Sequence, residues 1–121
     1  FRTTFTSNNI GIGVEAGQFT NSAGNNSSPV NSIFIGNSTT SLTNNDTNSI
    51  VIGVSAQGNG SNTVTLGNTS IVDTFLRGRV RIPQYTTGTR PVYVIGAVIF
   101  DTTLNKLVVG GATGWEAVTS A

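Results

Sequence analysis

Three kinds of residue in this chain could do chemistry, and their spacing tests each. Gly11, Gly13 and Ala16, within Asn8-Asn9-Ile10-Gly11-Ile12-Gly13-Val14-Glu15-Ala16, satisfy G-x-G-x-x-(G/A), the turn that lets a backbone approach a pyrophosphate. That chemistry needs a helix after the turn and an acid about twenty residues on. Here Gln18 to Ser28 is rich in Asn, Ser and Gly, which form helices poorly, and no acid lies between Glu15 and Asp46. No nucleotide, and no other cofactor, is expected.

The acids are Glu15, Asp46, Asp73, Asp101 and Glu116, spread along the chain. A glycosidase pair, with carboxyls roughly 5–10 Å apart, could form only between subunits. With no His and no Cys, the Ser–His–Asp triad, thiolate chemistry and the usual zinc sets are ruled out. A calcium solenoid needs Asp in every turn of its repeat. This chain has Asn at the corners, so no metal is expected, and the overall expectation is a protein that is not an enzyme.

Binding chemistry is better represented. Trp115, Tyr93 and Tyr85 could stack on a sugar ring, or could fill the core of a small C-terminal module. Arg77, Arg79 and Arg81 alternate with Leu76, Val80 and Ile82. This pattern reads as a half-buried connector strand over 73–82. Its arginines are either a solvated face that discourages edge pairing or an anion-binding ring with Asp73 as counter-ion. The Asn/Ser/Thr loops 21–31 and 38–48 are further contact surfaces.

The elements that must position these residues emerge from an internal repeat. Asn9-Ile10-Gly11-Ile12-Gly13 recurs as Asn31-Ser32-Ile33-Phe34-Ile35-Gly36, Asn48-Ser49-Ile50-Val51-Ile52-Gly53 and Asn62-Thr63-Val64-Thr65-Leu66-Gly67. The closing glycines are 23, 17 and 14 residues apart, the excess lying in the two polar loops. Period-two alternation predicts a short strand in each copy. Its core pairs are expected to be Ile10/Ile12, Ile33/Ile35, Ile50/Ile52 and Val64/Leu66. Gly11, Phe34, Val51 and Thr65 then point the other way, and Gly13, Gly36, Gly53 and Gly67 turn the corners. That varying column offers no flat Thr ladder, so an ice-binding solenoid is poorly supported. Each copy reads as one coil of a β-solenoid, two strands and two turns, stacked on its neighbours.

The division expected is 1–72 for the repeats, 73–82 for the connector and 83–121 for a small module. In that module Val92–Phe100, Leu107–Val109 and Trp115–Val118 form three strands, with a hairpin over Asp101–Lys106. Pro83 ends the connector strand, since it cannot donate to a ladder.

Composition agrees with an all-β chain. Only 9% of the 121 residues are charged and 36% are apolar, so the polar surface is built from Asn, Ser, Thr and Gly. A net charge of +1 leaves no basic footprint for nucleic acid. The apolar runs are too short for membrane insertion as a helix. The chain opens on Phe1 with no leader pattern and reads as a piece of something longer. A short solenoid buries too little surface to be stable alone, so a homotrimer with covered walls is expected.

The segment Asn48-Ser49-Ile50-Val51-Ile52-Gly53 through Ser61-Asn62-Thr63-Val64-Thr65-Leu66-Gly67 resembles the head repeat of trimeric autotransporter adhesins. That family forms a left-handed parallel β-roll. Residues 61–78, closing in Leu76-Arg77-Gly78, are similar to the same repeat in bacteriophage tail fibres and other viral fibres. From Arg90-Pro91 through Phe100-Asp101-Thr102-Thr103 to Gly114-Trp115, the chain resembles small β modules of phage fibres. The resemblance implies a trimeric fibre or adhesin segment on a virion surface, one that meets other fibre proteins and a host glycan or protein receptor. The alternatives are a bacterial adhesin head at the cell surface and a spacer that touches no receptor. The long insertion after the first copy departs from a regular roll.

Overall fold

The computed structural model describes residues 7–119. Its chain is all-β, with one 3-10 turn at Thr87–Thr89 among the described residues. Two compact units divide it, Phe1–Thr74 and Phe75–Ala121, and each is described on its own.

In the first unit, β1 (Ile10–Ile12), β2 (Phe19–Thr20), β3 (Ile33–Ile35), β4 (Thr40–Ser41), β5 (Ile50–Ile52) and β6 (Val64–Leu66) follow one another in the chain. The four copies of the repeat stack as a parallel sheet in the order β1-β3-β5-β6. Ile10, Ile33, Ile50 and Val64 lie in one register column, and Gly11, Phe34, Val51 and Thr65 in the next. A second parallel ladder joins β2 to β4 and continues as a bridge from Thr40 to Gln57. A third column of parallel bridges runs Ser7–Val30–Thr47. Each coil therefore has three short legs where the sequence suggested two.

Residues that tolerate left-handed backbone make the corners. Asn8, Asn31, Asn48 and Asn62 have φ of 50°, 52°, 53° and 60°, a region in which Asn is enriched among side-chain-bearing residues. Their side chains pair up the stack: Asn8 Nδ2 donates to Asn31 Oδ1 at 3.3 Å and Asn48 Nδ2 to Asn62 Oδ1 at 3.0 Å. The glycine corners are stricter. Gly36 has φ of 134°, and a Cβ placed there would lie 2.5 Å from the Gly53 carbonyl oxygen. Successive corners touch backbone to backbone, leaving no room for a side chain.

The unequal intervals are excursions from this frame. In the first coil the Thr20 amide donates to the Gly24 carbonyl, and Phe19 bridges Asn25 in antiparallel fashion. The buried Asn26 ties the excursion down through Nδ2 to the Gly17 carbonyl, at 3.0 Å. In the second, Asp46 accepts from the Thr43 amide at 2.9 Å and the Thr43 hydroxyl at 2.7 Å, closing a four-residue turn. The long first insertion thus loops out while β1 keeps its register with β3.

The interior corrects the expected core. Ala16, Phe34, Val51 and Ala56 form the buried apolar cluster. By contrast Ile10, Ile12, Ile52, Val64 and Leu66 are exposed, and Ile33, Ile35 and Ile50 are half-buried. In a three-residue strand the middle side chain points one way and its neighbours the other. A coil with such short legs has room inside for one side chain per rung, so the middle residue goes in and the aliphatic pair goes out. Hydroxyls complete the interior: the buried Ser32 Oγ accepts from the Ser49 amide at 3.1 Å, and Thr39 Oγ1 accepts from the Gly17 amide at 3.2 Å.

The second unit holds β7 (Gln84–Tyr85), β8 (Val98–Asp101), β9 (Lys106–Gly110) and β10 (Trp115–Ala117). They form one sheet in the order β10-β9-β8-β7, parallel only between β7 and β8. The hairpin between Asp101 and Lys106 is as expected, with Asn105 at φ of 52°. Two expectations fail. Residues 76–82 form no strand, and Leu76 and Val80 are as exposed as the arginines between them. The long strand expected over Val92–Phe100 shrinks to β8, and Val92, Val94 and Ile95 are exposed. A turn breaks it: the Ala97 amide donates to the Val94 carbonyl at 3.0 Å with Gly96 at φ of 81°, and a Cβ on Gly110 would stand 1.9 Å from the Val94 carbonyl oxygen. The chain at Val94 crosses the face of β9 at Gly110, and Gly96 and Ala97 then pair beside that glycine.

Candidate functional site

The feature of the first unit that most requires an explanation is its outer wall. Eight aliphatic side chains stand in two columns on one face of the parallel sheet: Ile10, Ile33, Ile50 and Val64, and Ile12, Ile35, Ile52 and Leu66. Ile12 is 58% exposed, Val64 62% and Leu66 55%. Past the glycine corners Val14 and Val54 are also exposed, alternating along the stack with Asn37 and Asn68. Backbone at the corners and one inward residue per rung dictate this arrangement, because the aliphatic pair has nowhere inside to go. A contiguous exposed apolar face of this kind marks an interaction surface.

The second unit contains the molecule's strongest polar site. Asp101 is fully buried at the end of β8 and accepts from Arg90 Nε at 2.6 Å, the Thr87 hydroxyl at 2.9 Å and the Leu104 amide at 2.8 Å. Arg90 Nη2 reaches the same carboxylate at 2.5 Å. Burial opposes ionisation of Asp101, but the Leu104 amide, the Thr87 hydroxyl and the Arg90 guanidinium outweigh it and hold the carboxyl below its ordinary range. Every partner belongs to the loop over the sheet or to the hairpin. The arrangement locks the loop 86–91 and the hairpin to β8, and it leaves no open carboxylate for catalysis. The sequence places Arg90-Pro91 and Asp101 in one module motif without pairing them. An Arg and an Asp separated by 11 residues and flanking one apolar run was the available signal.

The three aromatic candidates belong to different elements. Tyr85 lies on one edge strand and Trp115 on the other, and Tyr93 is in the crossing loop. All three are half-buried, and Trp115 Nε1 donates to the Pro91 carbonyl at 2.9 Å. Arg77, Arg79 and Arg81 are exposed, and the salt bridge among the described residues is that of Arg90. Gly11 lies inside β1 opposite Phe34, Gly13 is a corner and Ala16 is core. A turn rather than a helix follows them.

A shallow cleft of about 630 Å³ opens beside the third coil, walled by Asn21, Leu42, Gln57, Asn59, Thr65 and Asn68. Its amides are largely engaged already. Asn21 donates to Gly58, Asn59 to Thr65 and Asn68 to Val54. Among the described residues, no group of three or more acids, His or Cys could hold a metal, and no helix is long and apolar enough to cross a membrane. Comparison with protein-family models, curated proteins and solved structures finds no match.

Proposed function

We propose that the chain is a non-catalytic segment of a homotrimeric surface fibre that serves in host-cell attachment, most simply a viral fibre. The observation that carries this reading is the outer aliphatic wall. Four rungs of Ile, Val and Leu facing water are costly, at about 25 cal/mol for each Å² of apolar surface left exposed. A face-to-face dimer would cover one sheet face. Past the corners Val14 and Val54 are exposed on alternate coils, so full cover comes from two directions. Three copies around one axis supply that, each wall meeting both neighbours.

The likeness of residues 8–78 to fibre and adhesin head repeats supports the same assembly, with left-handed coils. The low charge and the Asn/Ser/Thr surface suit an extracellular appendage that presents hydrogen-bonding groups without strong fields. Trp115, Tyr93, Tyr85 and the three connector arginines remain the receptor-contact residues of this proposal, with a cell-surface glycan or protein as ligand.

Binding of the fluorescently tagged chain to a glycan array and to cells tests the attachment role. Saturable binding that is lost on truncating the exposed arginines to Ala supports it. A trimer that binds neither would make the chain a structural spacer of the fibre. A heptad stalk and membrane anchor downstream in the full-length protein would place it instead in a bacterial adhesin head.

A further inference from the structure

The second unit has an open face and an unpaired segment whose chemistries match. Cross-strand pairing puts Val98 beside Val109, Phe100 beside Leu107, and Glu116 beside Val109 on one side of the sheet. The opposite side carries the buried Ile99, Val108 and Asp101 under the crossing loop. The open side is a groove of about 530 Å³ lined by Val80, Ile82, Gln84, Val98, Phe100 and Leu107, with Arg81 as its one charged lining residue. Val98 and Leu107 are 43% and 44% exposed.

The segment leading into that groove is Phe75-Leu76-Arg77-Gly78-Arg79. Phe75 is 86% exposed and Leu76 61%, so neither sits in its own chain's groove. Neither the strand ladders nor the turn and loop hydrogen bonds engage the backbone of Phe75–Ile82. Solvated backbone with exposed large apolar side chains and no ladder of its own is a ready template for a partner.

We propose that Phe75 and Leu76 of one chain seat in the Val98/Phe100/Leu107 groove of a second copy. Arg77 and Arg79 then come toward the exposed Glu116 at the far edge of that face. The charges match, since Glu116 is the acid that pairing places on this face and the arginines have no in-chain carboxylate partner among the described residues. The exchange rests on the self-association proposed above, but it can fail while that reading stands.

The chain contains no cysteine, so engineered pairs report cleanly. A Phe75→Cys/Leu107→Cys double variant is oxidised at micromolar concentration and run under non-reducing denaturing conditions, while the mass of the unmodified chain is measured in parallel. Seating in a neighbour yields covalent dimers and trimers that collapse to single chains on reduction. A disulfide confined to single chains overturns the proposal, and so does a trimeric parent whose variant stays unlinked. Should the double variant misfold, Phe75→Ala and Phe75→Leu replace it. Seating requires the Ala form to dissociate at concentrations at least tenfold higher than the parent while the Leu form matches it. Equal dissociation of all three overturns it. A monomeric parent removes both this proposal and the trimer.

Discussion

The two units solve the same shortage of interior in opposite ways. The repeat unit buries few apolar side chains, Ala16, Phe34, Val51 and Ala56 among the described residues, and secures them by repetition. Asn corners, glycine corners and parallel ladders return at each level, and the charged Asp46 is spent within a local turn. The terminal unit has no repetition to rely on. It fixes its loop with one non-recurring lock, Asp101 with Arg90 and Thr87, and with a backbone crossing at Gly110. Both leave an aliphatic sheet face outward. Stacking distributes stability over many equivalent positions, whereas the lock concentrates it in a few. Substitutions should therefore behave differently in the two regions.

The largest effect is expected inside the solenoid. Phe34 is the bulkiest fully buried side chain, and Phe34→Ala should cost about 3–5 kcal/mol of unfolding free energy in denaturant titration. A cost below ~1 kcal/mol would mean that the inward column is not the core and would restore the aliphatic pairs to that role. The corner column comes next. At Gly36, where φ is 134° and the next corner is in contact, Gly36→Ala should cost about 2–3 kcal/mol from backbone strain together with the displaced neighbour. If it costs no more than the same change at Gly88, where nothing lies within 4 Å, the stacked-corner account fails.

The terminal unit offers a contrasting pH dependence. Asp101 has its folded pKa below the ordinary 3.8, so the folded state favours the carboxylate. Its contribution is present above pH 3.8 and is lost as pH falls through the lower folded value. Following Trp115 fluorescence, the terminal unit of Asp101→Asn should melt at lower temperature at pH 7 and show a flatter melting profile below pH 4. A variant with the parent's acid profile would remove the lock. The smallest effect is at an asparagine corner. Asn48→Ala at φ of 53° should cost about 1 kcal/mol, and Asn48→Gly should cost less, because Gly enters that region freely.

How far each region was legible follows from the same contrast. The repeat announced itself, because the recurrence of Asn, an alternating triplet and Gly at 23, 17 and 14 residues depends on sequence alone. It gave the strands and the corners. It could not say which side of the triplet faced inward, since alternation fixes two faces without labelling them, and the more hydrophobic face took the core role by default. The narrow interior reverses that choice. In the terminal unit Val92–Phe100 carried the composition of one buried strand. What broke it was the turn over Val94–Ala97, with Gly96 at positive φ, whose Val94 carbonyl packs on Gly110. Likewise Leu76–Ile82 had the alternation of a strand, yet strand pairing is supplied by a partner and not by pattern.

The proposed trimer makes the outward aliphatic columns an interface between copies. Sedimentation equilibrium on the chain and on Ile12→Asp, with circular dichroism to confirm that both are folded, tests it most directly. The expected result is a parent three times the 12.5 kDa chain mass and a variant with the parent's β spectrum but the mass of a single chain. A parent that remains folded and monomeric at micromolar concentration would contradict it.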